Sequence, residues 1–498
     1  MRSSSFAWLV MMLGVTLLLL GAACGDDSEE GGGGAAVGGA GGSGAATAGT
    51  GGTSSGGGSA GSAGAGCNGN GATIQVGPDD CSAVAVNAAI AGASAGDVIE
   101  LTCTGTVTWS GQIDLAGGKT LKGPGHKGAS GASGDWPLVI DVASSDDAVI
   151  TVSCEDAEPA NRITGLKLQG GGPAWGIYVS GRGTGQCEQG AFRIDNNAFD
   201  NVDASSRLVL TDGSTGKLTG LLDHNVFLAN SPGYNNLSYQ NGYKGSSPTC
   251  YGYDALMRDT GFGSDDFVFY EDNYLFNTGI ETSDGGGRLV VRHNELASDY
   301  ADNSMWGLDG HGADTYGHYA TGIVACEFYG NTITGAAAYA QVVYMRGGAW
   351  MVHDNVAESG SLEFTEYRAY GSPNCEGLDW NACGGAACCT AACMQCPTDA
   401  DFAACYPLPN QVHDTFLWDN LQGAADMVPW FAGQYTATYI ALDRDYWMPP
   451  YGLESALPAA CAQGDTFGST DSQKLWECTA PDQWTLRYTP YPYPHPLP

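Results

Sequence analysis

Between Asp284 and Arg346 the sequence gathers residue types that move protons and grip carboxylates. Asp284-Gly-Gly-Gly-Arg288-Leu-Val-Val-Arg292-His293-Asn294 comes first. Asp309-Gly-His311-Gly-Ala-Asp314-Thr-Tyr316-Gly-His318 follows, and then Tyr344-Met-Arg346-Gly-Gly. Only 19 lysines and arginines serve 498 residues, so arginines and histidines this close together stand out. A guanidinium forks onto a carboxylate, which makes Arg292 and Arg346 candidate neutralisers of an acidic substrate. His311, between glycines that let a ligand approach, is the candidate base, and Tyr316 and His318 are candidate proton donors. Arg288 and Tyr344 are candidate substrate-binding residues. Asp284, Asp309 and Asp314 are candidate calcium ligands, since that cation takes clustered oxygens. Structural roles compete: Arg288 and Arg292 can pair with acids on neighbouring strands, and His293 precedes a turn.

Residues so far apart in the chain meet only on a scaffold that keeps returning to the same place. Seven segments align on one asparagine: Asn197, Asn225, Asn273, Asn294, Asn331, Asn355 and Asn420. Three residues before it stand Ile194, Leu222, Tyr270, Val291, Phe328, Val352 and Leu417. Five before it stand Phe192, Val268, Leu289, Cys326 and Trp350, and two after it Phe199, Phe227, Leu275, Leu296 and Ile333. Alternation before the asparagine is the period of a strand with one buried face. The asparagine sits at the turn, where its side chain tolerates left-handed backbone and bonds to stacked neighbours. The repeat fits coils of about 20–25 residues with loops between them, the mark of a solenoid. A sandwich would space its strands more closely, and a propeller is the main structural rival. In this register Leu289 and Val291 point inward, while Arg288 and Arg292 point outward on one strand face, about 13 Å apart. Cys326 falls in a core slot, which fits a buried free thiol.

The ends and interruptions read differently. Residues 1–24 are expected to be a lipoprotein signal peptide: Arg2, an apolar run from Phe6 to Leu20, then Gly21-Ala22-Ala23 before Cys24. Leu20-Gly-Ala-Ala-Cys24 resembles a bacterial lipobox, in which the cysteine is acylated, although the leucine lies one position further away than the pattern prefers. Residues 25–66 form a Gly/Ala/Ser-rich flexible tether, too poor in apolar surface to pack. Residues 67–430 are read as the solenoid domain, opening with a helical stretch from Cys81 to Ala91 that caps the core. A cysteine-rich insertion at 367–405 interrupts it. Disulfide knotting explains that cluster better than zinc or a redox dithiol at Cys393-Met-Gln-Cys396, because no well-spaced histidine or second such pair accompanies it. Residues 431–498 are an aromatic and proline-rich extension packed on the solenoid, its last stretch extended.

Of 17 cysteines, setting Cys24 aside leaves an even 16, in keeping with an oxidising compartment. The net charge of −35 argues against a nucleic-acid partner and repels polyanions unless metal ions or a basic stripe intervene.

The core, roughly Gly71 to Asn420, resembles the pectate-lyase-like superfamily through its cap, its coils and the run DGGGRLVVRHN followed by a His-Gly loop. The resemblance implies an all-β, right-handed parallel β-helix with a short capping helix, a polysaccharide partner lying along an outward face, and a monomer. With the anchor, the location would be the cell envelope, on a bacterial membrane or cell surface. The superfamily holds lyases, hydrolases, esterases and non-enzymatic adhesins, so reaction does not follow from fold. The expected activity is β-elimination on a uronate-containing glycan. Arg292 and Arg346 would neutralise the carboxylate, His311 would take the C5 proton, and Tyr316 or His318 would protonate the leaving oxygen, with calcium as the implied metal. The rival enzyme is a polygalacturonase-like hydrolase. Gly263-Ser-Asp265-Asp266 and Gly310-His311-Gly312 look like two of that family's motifs, but the separation is too long and the flanking Asn-Thr-Asp and Arg-Ile-Lys are missing. A non-catalytic carbohydrate binder or adhesin is the third reading; 24 tyrosines and 12 tryptophans would suit sugar stacking as well as packing.

Overall fold

The computed structural model describes residues 71–126, 134–143, 148–153, 159–171, 175–180, 192–203, 207–212, 218–240, 260–283, 287–300, 305–310, 323–335, 339–365, 412–431 and 440–497. All belong to one compact unit, Ser62–Pro498.

The described part opens with strand Thr73–Val76 and helix Ala83–Gly92. Ser82 supplies the helix cap, its hydroxyl accepting from the Ala85 amide at 3.3 Å. Ala83, Val86 and Ile90 lie on one helical face and are buried against the first coils. A Cys81–Cys103 disulfide and a hydrogen bond from the Trp109 indole to the Cys81 carbonyl (2.9 Å) fasten this lid. Without it the open end of the core would meet water.

From there the chain is all-β and winds as a parallel β-helix. Each coil contributes up to three strands, and the pairings follow three tracks. The first face is a 12-stranded parallel sheet holding the strands before the ladder asparagines, among them Phe192–Asp195, Gly220–Asp223, Val268–Glu271, Arg288–Arg292, Ala325–Tyr329 and Gly348–His353. The second face holds strands after the asparagine, such as Glu295–Ala297, Thr332–Thr334 and Val356–Ala357. The third holds Met305–Gly310, Tyr339–Met345 and Ser361–Phe364. Two long strands, Val226–Gln240 and Tyr274–Ser283, turn the corner between the second and third faces and join them into one 19-stranded sheet.

Inward residues stack by kind. On the first face Val268, Leu289, Cys326 and Trp350 form one row, and Leu222, Tyr270, Val291, Phe328 and Val352 the next. Where the first row lacks a side chain, at Gly220, the ring of Phe192 fills the space: a Cβ there would lie 2.3 Å from it. Cys326 is a buried free thiol in this row.

The asparagines are buried and chained. From Asn225 to Asn355 the side-chain oxygen accepts from the backbone amide and Nδ2 of the preceding asparagine, as between Asn273 and Asn294 (both 3.0 Å), and each Nδ2 also reaches a backbone carbonyl. The left-handed backbone, however, belongs one residue earlier than the repeat suggested. Asn196, His224, Asp272, His293, Asp354 and Asp419 have φ between 47° and 56°, and Gly330 has 66°. That residue makes the turn, which frees the asparagine to face inward and be saturated by backbone on two coils.

The solenoid continues past residue 430. Strand Tyr446–Trp447 adds a last rung to the first sheet beside Thr415 and Phe416. Strands Tyr451–Gly452, Thr466–Ser469, Leu475–Ala480 and Gln483–Tyr488 then form a separate four-stranded sheet stapled by Cys461–Cys478. The two disulfides fit an oxidising extracellular compartment. The cysteine-rich insertion at 367–405, the leader and the tether lie outside the described residues.

Candidate functional site

Arg292 does point outward from the first face, but into protein. Its side chain is 0% exposed and lies beneath the C-terminal residues of the chain. Nε donates to Glu271 Oε2 (2.6 Å), and Nη1 to the Tyr329 hydroxyl (3.0 Å) and the Tyr491 carbonyl (2.6 Å). Nη2 donates to the Pro492 carbonyl (2.9 Å). Beside it an apolar patch, Leu221, Phe269, Val290 and Ala325, packs with Phe262, Tyr491 and Leu497. The groove expected there, with Arg292 open to a substrate, is therefore filled by residues 488–497. Pairing with an acid on the neighbouring coil is what Arg292 does, as Arg162 does with Asp195 and Arg193 with Asp223. Arg288 stands half-buried at the opposite end of the same strand. His293 makes the left-handed turn, its ring 3.9 Å from that of Tyr493.

Arg346 is elsewhere, at the end of a third-face strand. Its Nη2 lies 2.6 Å from both oxygens of Asp309, and its guanidinium sits 4.9 Å over the Tyr344 ring. Arg346, Asp309 and Tyr344 thus come together, and Arg292 does not join them.

Register shows what surrounds this trio. Glu281 pairs with Asp309, Asp309 with Tyr344, Tyr344 with Glu363, and Glu363 with Trp430. Their inward neighbours Ile280, Leu308, Val343 and Leu362 fill the core. The five therefore form one outward row along the solenoid axis, each about 4.8 Å from the next at the backbone. Glu281, Asp309, Glu363 and Tyr344 are buried, whereas Trp430 is 55% exposed. Gln341 donates to Glu363 Oε2 (2.6 Å) and Thr365 to its Oε1 (3.3 Å). Burial pushes the Glu363 carboxyl above its ordinary 4.5; the two hydrogen bonds oppose that rise and the Asp309 charge adds to it. The Trp306 ring lies 6.2 Å from that of Tyr344.

The chain matches no family model, no curated protein and no solved structure.

The row thus carries three carboxylates, Glu281, Asp309 and Glu363, with Arg346 ion-paired to Asp309. Both oxygens of Asp309 face Arg346, and among the described residues no three His, Cys, Asp or Glu side chains converge on a metal position. Asp284, Asp314, His311, Tyr316 and His318 lie outside the described residues, as does Cys24. By chain order Asp284 follows Ser283 and His311 follows Gly310, each the last residue of a third-face strand, and Arg346 follows Met345 in the same way. Asp265 and Asp266, the rival hydrolase pair, belong to the segment before strand Val268–Glu271, on the first face.

Glu281, Glu363, Gln341 and Trp430 escaped the sequence reading because the repeat was aligned on the asparagine alone. The third strand carries its own signal, an acid directly after a core aliphatic: Ile280-Glu281, Leu308-Asp309 and Leu362-Glu363.

Proposed function

We propose that the protein cleaves a polysaccharide lying along the third face, with Glu363 and Asp309 as the working carboxylates. The observation that carries this reading is the outward row Glu281–Asp309–Tyr344–Glu363–Trp430, which puts buried acids beside an exposed indole on a surface that runs along the coils. Glu363, whose pKa burial moves above its ordinary value, is the group placed to give a proton to a glycosidic oxygen. Asp309, ion-paired to Arg346, is the partner that activates water. They stand two rungs apart in the row, about 9.6 Å at the backbone. Trp430 offers a flat face for the next sugar, and Tyr344 lies between the two acids.

β-Elimination on a uronate-containing glycan is the second reading, favoured by one feature: Arg346 puts a cation beside this row, and His311 follows the strand that carries Asp309. There Arg346 would turn from Asp309 to the uronate carboxylate and His311 would take the C5 proton. The local excess of acid speaks for hydrolysis of a neutral chain instead.

The pectate-lyase-like kinship and an acylated Cys24 anchor belong to the same proposal. A tethered solenoid in the cell envelope would meet polysaccharide at the surface. The test is incubation of the full chain with neutral and uronate polymers, with and without calcium. New reducing ends, lost in Glu363→Gln and Asp309→Asn, support hydrolysis. An unsaturated, ultraviolet-absorbing product lost in Arg346→Ala supports elimination. Binding without either product makes it an adhesin and overturns the proposal.

A further inference from the structure

The C-terminal sheet creates a second recess, well apart from the carboxylate row. A cleft of about 700 Å³ lies between the outward side of the last first-face rungs and the four-stranded sheet. That volume is typical of small-molecule sites. Phe416 and Phe467 form a buried floor, and the half-buried indoles of Trp447 and Trp484 form walls. The rim is polar: Asp443, Gln463, Asp465, Glu477 and Arg487.

We propose that this cleft is a saccharide-binding site that takes a neutral sugar unit. Aromatic faces suit the C–H face of a pyranose, while rim carboxylates and an amide suit its hydroxyls. Charge sets the class. Three carboxylates share the rim with a single guanidinium, and Arg487 is already occupied. It ion-pairs with Glu477 and with Asp414 Oδ1 (3.1 Å) and lies 4.8 Å over the Phe416 ring. A uronate or phosphate would meet uncompensated negative charge; a neutral polyol would meet hydrogen-bond acceptors.

The walls are set before any ligand arrives. Trp447 stacks on Phe416, with ring centroids 5.0 Å apart and planes 14° from parallel. The Trp484 indole donates to the Pro458 carbonyl at 2.6 Å, and the Cys461–Cys478 disulfide holds the loop carrying Gln463 and Asp465 against the strand carrying Glu477. Little ordering remains to oppose binding. Because Phe416 and Trp447 belong to the first face and Glu363 to the third, the cleft would hold a glycan without blocking the carboxylate row.

The probes are cellohexaose, xylohexaose, mannohexaose and a galacturonate hexamer, titrated into the full chain by calorimetry with tryptophan fluorescence alongside. The expected result is saturable binding of at least one neutral hexamer. Trp447→Ala or Trp484→Phe should weaken it about tenfold, the scale of one aromatic contact. Gln463→Ala, an exposed rim change that does not threaten folding, should weaken it a few-fold. Glu363→Gln should leave it unchanged, so loss of catalysis and loss of this site are read separately. Absence of binding by every neutral hexamer, tighter binding of the galacturonate hexamer, or binding indifferent to all three cleft variants overturns the proposal.

Discussion

Arg292 donates from Nη1 to the carbonyl of Tyr491, 199 residues further along the chain, at 2.6 Å. Around that bond the C-terminus runs up the first face, perpendicular to its strands. The Tyr488 hydroxyl donates to Glu327 (2.6 Å), Tyr493 to Asp272 (2.7 Å), the His495 amide to Glu271 (2.8 Å), and Arg193 to the Leu497 carbonyl (2.8 Å). Proline at alternate positions removes amide donors along the strap, and carbonyls of Tyr491, Pro492 and Leu497 face Arg292 and Arg193.

Removing the guanidinium should therefore act on stability and not on chemistry. Arg292→Ala leaves Glu271 buried without its cation and strips two carbonyls of their donor. The expected loss is about 3–5 kcal/mol, read from the urea midpoint. Glycan cleavage by the folded fraction should persist, since Asp309 and Glu363 lie on another face. A variant with an unchanged midpoint and abolished cleavage would return the active site to the first face.

The strap should also respond to pH through Glu327. Burial raises this carboxyl to about 7 from its ordinary 4.5, while bonds from the Tyr488 hydroxyl and the Gly263 amide and the Arg292 charge pull it back. Its folded pKa lies above the unfolded value, so between the two the folded state binds the extra proton. Stability then falls as pH rises from 4.5 towards 7 and levels off beyond, by on the order of 3 kcal/mol. Glu327→Gln, which keeps the shape without the charge, should flatten that slope. An unchanged slope in urea titrations from pH 4 to 8 would refute the assignment.

The asparagine repeat carried the fold because a buried turn must be saturated, and from Asn197 to Asn420 the same side chain does that in successive coils. Position within the coil was less legible. A reader of Asn294 alone cannot tell that the left-handed residue is His293, since histidine, aspartate and glycine all occupy that place in other coils. Arg292 was legible as outward and illegible as covered: its cover is a segment near residue 491, and nothing local in the sequence announces a contact that distant. The carboxylate row failed for a different reason, because third-face strands are separated from the asparagine by corners and loops of unequal length. Counting from the turn loses register there.

Within the ladder, Asn294 offers a test of how much one rung contributes. Its Nδ2 faces three acceptors, the carbonyls of Tyr270 and Arg292 and Asn331 Oδ1, at 2.9, 3.0 and 3.0 Å. Asn294→Ala should cost about 3 kcal/mol, the scale of several buried groups left unsatisfied. Asn294→Asp should cost more at neutral pH, since it points an anion at acceptors, and should recover part of the loss on acidification as the carboxyl regains a donor. Equal destabilisation of the two variants at all pH values would mean that packing, not hydrogen bonding, sets the rung.

Glu363 offers the corresponding test at the proposed active site. As general acid it must hold its proton while substrate is bound, and burial moves its pKa upward from 4.5. Cleavage should therefore persist above the pH where an ordinary glutamate would have lost its proton, and decline as pH rises through the raised value. Asp309→Asn should shift that decline to lower pH, because the Asp309 charge helps hold the proton on Glu363. It should also lower kcat by about 10²–10⁴, as expected for loss of a general base. Trp430→Ala touches neither proton. It should raise KM and leave both the alkaline limb and kcat close to their starting values, the pattern of lost uniform binding. Should Glu363→Gln retain both its rate and its alkaline limb, the proton would come from another group and the carboxylate row would be structural.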